Sequence, residues 1–444
     1  MKTQNILQHD YTGGNKVMEI IIHRGTHQIG GCVTEIKTEE ARIIIDMGTP
    51  LPGSKTENEF AVAGDRVMEL PGVTVPVAMG GEADKNENRK FVKYQSCDAV
   101  FITHYHGDHI GRIDTLLPGI PLYMGAAAKE IYSIYCNRTD QTEKVRRLQN
   151  AHSYTPGQPI QIKDITVTPL QTSHSALDAY MLLIEAEGKT VLHTGDFSLH
   201  SYKGTRWLDA VTKCLKEKKI ASIDYLICEG TMLPDQIRTS PTELDVINQI
   251  TTLMKKYKKV FVLCSSTHID RIAAFYHHRN YHAPMVSDMY QNDILQYVTD
   301  TYGKSDYFYR IPYAYTFSTK NKKLQELMDE YGFVALIRPN YWSKWMLEHF
   351  YDEKDSAIVY SMWSGYLKEG PAKNEYLYDF LKPYKITAFI HAGGHALPEE
   401  IKMFVDAVNP THIIPVHTEH PEAMRNLLPE REIVLPEDGD VLQI

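Results

Sequence analysis

The stretch FITHYHGDHIGR, Phe101–Arg112, places three histidines and an aspartate within six positions, directly behind a short apolar run. On a turn that follows a strand, successive side chains fan into one space, so His104, His106, Asp108 and His109 can face a common point. Neutral imidazoles and a carboxylate are suited to zinc or a similar divalent ion. The plainer alternative is a polar helix start with Asp108 as its N-cap. Two ions need more donors than these four, and the chain supplies them elsewhere: TSHSALD carries His174, HTGDF carries Asp196 and PVHTEH carries His417, each at or just past the end of an expected strand.

Outward from that stretch, VMEIIIH (17–23), CVTEIK (32–37) and ARIIIDMG (41–48) predict a β-meander, and DAVFITH (98–104) predicts the strand that ends in the histidine cluster. Residues 49–95 predict a long excursion. Helices are expected near 109–117 and 125–150, followed by strands at 165–172, 179–186 and 189–197. DYLICEG, KVFVLCSS, FVALIRP and SAIVYSMW alternate with amphipathic segments, the pattern of a parallel sheet. Toward the C-terminus a strand is expected at 386–392, a helix at 397–408, a strand at 411–417 and a helix from Pro421.

The 444 residues carry a formal charge of -9, which argues against a surface that coats polyanions all over. The charge is uneven. Residues 206–360 hold 20 basic against 19 acidic side chains and 15 of the 28 tyrosines, a shift in composition that suggests an inserted domain. The six cysteines lie far apart, without the close pairs of a thiolate zinc site or the density of a disulfide framework, and are expected to be reduced. The start, MKTQNILQHDYTGG, lacks a basic region followed by an apolar run, and no uninterrupted apolar segment approaches membrane-spanning length. A cytoplasmic protein with no membrane partner is expected.

THYHGDHIGR resembles the signature of the metallo-β-lactamase superfamily, and the order Asp46, His104/His106/Asp108/His109, His174, Asp196 is similar to its successive motifs. ICEGT with Glu229, HAGGHA with His395 and PVHTEH with His417 resemble the three further motifs of the β-CASP branch, which includes ribonuclease J and related nucleases. The resemblance runs from Val17 to His417. It implies an α/β protein, a metallo-β-lactamase αββα sandwich formed by 1–205 and 361–444, with an α/β β-CASP-like domain inserted at 206–360.

It also implies two divalent ions, zinc before manganese or magnesium. One would be held by His104, His106, His174 and Asp196, the other by Asp108, His109, Asp196 and His417. Asp46 would fix the loop beneath the ligands and Glu229 would support the site from behind. His395, beside Gly394, is the candidate for phosphate contact and general acid. The implied activity is hydrolysis of single-stranded RNA, with DNA second, in a chain that could pair with copies of itself. The competing classes are a small ester, lactone or amide hydrolase and a catalytically silent subunit.

Two departures matter. The branch usually has a serine where this chain has Gly393, which puts recognition of a 5′-monophosphate in doubt. Ser265, Ser266 and His268, in LCSSTHIDR between a strand and a helix, are the candidates to replace it, because a helix N-terminus attracts anions; capping of that helix by Ser266 or Thr267 is the plainer role. Ribonuclease J proper also carries a further C-terminal domain, whereas Ile444 follows soon after the last motif, so dimerisation and processivity are not expected to carry over. The tyrosine-rich 307–317, the lysines at 255–259 and 320–323, and Arg238, Arg271 and Arg338 are candidate nucleic-acid contacts.

Overall fold

The computed structural model describes residues 17–51 and 97–444, except 118, 234–240, 313 and 371. The expected excursion at 49–95, the N-terminal start and Arg238 therefore fall almost wholly outside the described residues.

Strand β1 (Glu19–Arg24) alternates half-buried and buried side chains, the mark of a sheet with one face on a core. It pairs antiparallel with β2 (Val33–Lys37), which pairs antiparallel with β3 (Arg42–Ile45), the expected meander. Beyond β3 the sheet continues in parallel through β4 (Ala99–Phe101), β5 (Leu122–Met124) and β6 (His152–Ser153). A second sheet runs antiparallel through β7 (Ile160–Ile162), β8 (Ile165–Thr172), β9 (Ala179–Ala186) and β10 (Lys189–His193), then parallel into β11 (Ile223–Glu229).

The chain next builds a wholly parallel third sheet from β12 (Lys259–Cys264), β13 (Met285–Ser287), β14 (Ala314–Thr316), β15 (Phe333–Ile337), β16 (Ser356–Ser361) and β17 (Ala388–Phe389), in the spatial order β14-β13-β15-β12-β16-β17. It then returns. Strand β18 (Pro410–Val416) lies parallel to β11, β19 (Glu432–Ile433) lies beside β18, and β20 (Val441–Gln443) closes on β1.

The first two sheets enclose one core, in which Ile20, Ile43 and Phe101 of one meet Val167, Leu182 and Ile414 of the other. The outer face of the second sheet is covered by helices Arg206–Glu217 and Pro398–Val408 through Trp207, Val211 and Phe404. The outer face of the first carries helix Ala126–Arg138, and its apolar contacts run without interruption into the helices of the third sheet, joining Ile131 to Ile272, Phe275 and Ile294. The result is a helix–sheet–sheet–helix sandwich with an α/β unit inserted between β11 and β18.

The inserted unit is displaced from the boundaries expected at 206 and 360. Helix Arg206–Glu217 and β11 belong to the sandwich, because the helix packs on the second sheet and β11 sits between β10 and β18. At the other end β17 still pairs with β16 of the third sheet. The expected strand at 386–392 shrinks to two residues, since the carbonyls of Ile390 and Ala392 accept from the guanidinium of Arg271. The expected helix at 125–150 is two helices, broken near Asp140, whose φ of 57° is left-handed. The helix expected at 109–117 is one turn, Gly107–Ile110, and a 3-10 turn, Ile113–Thr115.

Candidate metal centre

All seven expected ligands come together where the ends of β3, β4, β8, β10 and β18 meet. Oδ2 of Asp196 lies 3.3 Å from Nε2 of His109, 3.6 Å from Nε2 of His104, 3.7 Å from Nε2 of His174 and 3.9 Å from Nε2 of His417. Around it, Nδ1 of His106 lies 3.2 Å from Nε2 of His104 and 3.0 Å from Nε2 of His174. Asp108 places Oδ2 at 3.2 Å from Nε2 of His417.

The hydrogen bonds behind these rings dictate which nitrogens carry protons. Nδ1–H of His109 donates to Asp46 Oδ2 at 2.7 Å, and Nδ1–H of His174 donates to the carbonyl of Gly394 at 2.6 Å. Thr103 donates its hydroxyl proton to Asp46 at 2.8 Å, so its oxygen accepts from Nδ1–H of His104 at 3.1 Å. Thr231 does the same service for His417: its hydroxyl donates to Glu229 at 2.8 Å and accepts from Nδ1–H of His417 at 2.7 Å. Four Nε2 lone pairs are thereby turned inward. Asp46 serves two of them, one directly and one through Thr103, and its φ of 62° aims the carboxylate under the loop. His417, with φ of 55°, is likewise in a left-handed conformation.

This donor set fits divalent cations. His104 and His174 are buried and His106 half-buried; desolvation first, helped by neighbouring histidines, keeps His104 and His174 well below the usual histidine range, and desolvation, against Asp108 and Asp196, lowers His106 to about 4. The rings are thus neutral, the form that binds metal. Three lone-pair nitrogens at 3.0–3.2 Å can share at most one proton between them, whereas nitrogens about 2.0–2.1 Å from a tetrahedral ion sit about 3.3 Å apart. Nε2 of His109 and Oδ1 of Asp196 are buried with no hydrogen-bond partner, a costly arrangement in the absence of a cation. Burial works against the charge on Asp196, yet His417, His109 and His395 hold its carboxyl well below the usual carboxylate range.

Glu229, buried at the end of β11, does not stand unpaired. It accepts from the backbone of Phe197 and Ala396, from Thr231 and from Nδ1–H of His395 at 3.0 Å. Burial pulls the His395 pKa down, but Glu229 and then Asp196 raise it to about 9. A β-carbon on Gly394 would lie 2.6 Å from Ser175 Oγ and 3.1 Å from His174 Cε1, so this glycine is a requirement of packing. A β-carbon on Gly393 meets nothing within 4 Å, so the departure at that position has no steric cause.

The chain resembles known proteins in the same regions. A beta-lactamase superfamily domain matches residues 83–264, and a Zn-dependent metallo-hydrolase RNA specificity domain matches 384–431. The two matches, with the relatives that follow, support a place in the β-CASP branch of the metallo-β-lactamase superfamily. Among its relatives, Ribonuclease J of Helicobacter pylori (strain ATCC 700392 / 26695) is 22% identical over 95% of the chain and 60% of its own length. Ribonuclease J of Mycoplasma pneumoniae is 22% identical over 92% of the chain and 69% of its own length. The chain therefore spans about 60% of the length of the Helicobacter relatives. A crystal structure of a protein of unknown function from Enterococcus faecalis V583 superposes with a TM-score of 0.73 at 22% identity, covering 96% of this chain and all of that one.

The expected substrate contacts fare unevenly. His268 is buried, and burial first, then Arg271 and His391, keep its pKa well below the usual histidine range. Ser265 is exposed and faces Thr267; helix Ile269–His278 has His268 at its N-cap and no side-chain cap, so the capping role expected for Ser266 or Thr267 is not formed. Asp108 is not an N-cap either, that position being His106. Arg271 is fully buried on Glu243, and Arg338 is paired with Asp288, which removes both from a phosphate surface. In 307–317, Phe308, Tyr309 and Phe317 pack inward. Sequence reasoning missed Thr103 and Thr231, although both stand inside quoted motifs, because a threonine beside a ligand carries no signal until its hydroxyl has a direction. Among the described residues no helix is long and apolar enough to cross a membrane.

Proposed function

We propose that this protein is a metal-dependent phosphodiesterase that cleaves single-stranded RNA, with two zinc ions as its resident cations. The observation that carries the reading is Asp196 Oδ2, which lies within 3.3–3.9 Å of ring nitrogens from His104, His109, His174, His395 and His417. On this reading His104, His106, His174 and Asp196 hold one ion, while Asp108, His109, Asp196 and His417 hold the other, with Asp196 common to both. Divalent ions held by these residues would supply a water reactive near neutral pH and would offset phosphate charge.

The remaining steps belong to the chain's own residues. Asp46 keeps His104 and His109 in the ligand tautomer, and Glu229 does the same for His417 through Thr231. Glu229 also holds Nδ1–H of His395, which leaves Nε2–H to meet a phosphate oxygen and to give a proton to the leaving oxygen. Against burial, Glu229 and then Asp196 raise the pKa of His395, which favours the proton it would give. Gly394 fixes the spacing between His395 and His174, since its carbonyl holds the latter.

RNA as substrate is supported by the names of the relatives and by the match to an RNA specificity domain beside His395 and His417. The inserted α/β unit distinguishes this chain from a bare sandwich of the kind that hydrolyses small esters or lactones, and the full donor set argues against a silent subunit. The test is incubation of the purified protein with internally and 5′-labelled single-stranded RNA, with and without chelator. Chelator-sensitive cleavage absent from Asp108→Ala and His109→Ala is expected. Turnover of a lactone or ester panel with RNA left intact would overturn the substrate.

A further inference from the structure

Cys32 occupies a position that the ligand set above leaves unexplained. It follows Gly30 and Gly31 at the mouth of β2, and its backbone is tied to the metal-bearing loop: its N–H donates to the carbonyl of Asp108 at 3.0 Å, and its carbonyl accepts from Gly48 at 3.1 Å. On its other side Gly25 accepts from the N–H of His417 at 2.7 Å, and a β-carbon there would lie 3.5 Å from the sulfur of Cys32. The thiol is held between the segments that carry His109 and His417. Sγ of Cys32 and one ring nitrogen of each of these histidines lie within 4.8 Å of one another, and all three residues are buried.

The same three residues line a small cavity of about 10 Å³, room for about one water-sized particle, together with Asp196, Glu229, His193 and Arg24, whose positive charge the two carboxylates offset. Two of the atoms on these residues, Nε2 of His109 and Oδ1 of Asp196, are buried without a hydrogen-bond partner. Nδ1–H of His109 is already spent on Asp46, so Nε2 is the ring nitrogen left to face the cavity. What the cavity offers is a soft sulfur, imidazole nitrogen and carboxylate oxygen in a space that water reaches poorly.

We propose that Cys32 is a sulfur ligand of the ion position formed by His109 and His417, giving that position a preference for soft divalent cations such as zinc, cobalt or cadmium over manganese and magnesium. The inference rests on the reading that these histidines hold an ion. Thiolates select soft ions, while an all-nitrogen-and-oxygen set accepts harder ones. On binding, the S–H bond breaks, the proton leaves to solvent and the sulfur–metal bond forms in its place. Before the ion arrives the sulfur is a neutral thiol, because burial, and the nearby carboxylates of Asp196, Asp108 and Asp46, push it up.

The test is the electronic spectrum of the full chain loaded with cobalt(II), beside Cys32→Ser and Cys32→Ala. The wild type is expected to show a near-ultraviolet thiolate-to-cobalt charge-transfer band that both variants lack while retaining bound cobalt. The preference for zinc over manganese, measured by competition, is expected to fall about tenfold or more in the variants. Bound cobalt in the wild type without the thiolate band, or with a band that survives in both variants, overturns the role of Cys32 and leaves the ion site intact. A wild type that binds no cobalt overturns the ion site itself, and this inference with it.

Discussion

Asp46 is the residue whose removal should cost most for a side chain that touches no substrate. It accepts from His109 directly and from His104 through Thr103, so Asp46→Ala releases two rings from the ligand tautomer at once. Metal affinity, read by competition with a chromophoric chelator, is expected to fall about 10–100-fold. Thr231→Val, which breaks the link from Glu229 to His417, is expected to fall within the same range. Unchanged affinity in both would contradict the tautomer argument. At this scale the sequence was legible wherever chemistry is written in the residue type, as in His104, Asp108 or His417. It was illegible where the role depends on the direction of a hydroxyl, as in Thr103, or on a partner far along the chain, as in Arg271, whose guanidinium fills the fully buried site between Glu243 and Ser361.

The segment Ile390–Ala396 shows the same limit for an element. A strand is expected over 386–392, but after β17 the chain leaves the sheet to thread between Arg271, His200 and Glu229. His200 donates Nε2–H to the carbonyl of Gly393 at 2.9 Å and Nδ1–H to Glu400 at 2.9 Å, so both ring nitrogens are donors and the ring is charged. Burial lowers its pKa, but Glu400 prevails and raises it above the ordinary 6.5. The sign follows: a raised pKa gives stability that is fully present below about 6.5 and is lost as pH rises through the folded value. The thermal midpoint of the wild type is expected to fall over that alkaline window more than that of His200→Gln. Parallel pH curves would contradict the assignment. In the same segment Gly394→Ala is expected to lose ion binding, checked by metal content, because its new methyl group would drive into Ser175 and His174. The long strands were plain in the sequence, β8 and β9 matching their expected bounds at both ends, because stretches of strand length buried almost throughout leave little choice.

For the whole molecule, Arg271 ties the inserted unit together through Glu243, Ser361 and the carbonyls of Ile390 and Ala392, and the unit meets the sandwich at Tyr105, whose hydroxyl donates to Thr267 and accepts from Leu177. Arg271→Met leaves Glu243 unpaired in the interior and is expected to cost about 3–5 kcal/mol in urea unfolding, whereas Tyr105→Phe costs about 1 kcal/mol. Composition betrayed the insertion but not its ends, because helix Arg206–Glu217 has the same amphipathic pattern whether it covers the second sheet or the third. The central claim is that donors scattered from His104 to His417 form one centre for two cations. Metal content after equilibrium dialysis against zinc tests it most directly. About two equivalents per chain are predicted for the wild type, falling below one in Asp196→Ala; a wild type that retains fewer than one, or an Asp196→Ala variant that retains two, would contradict it.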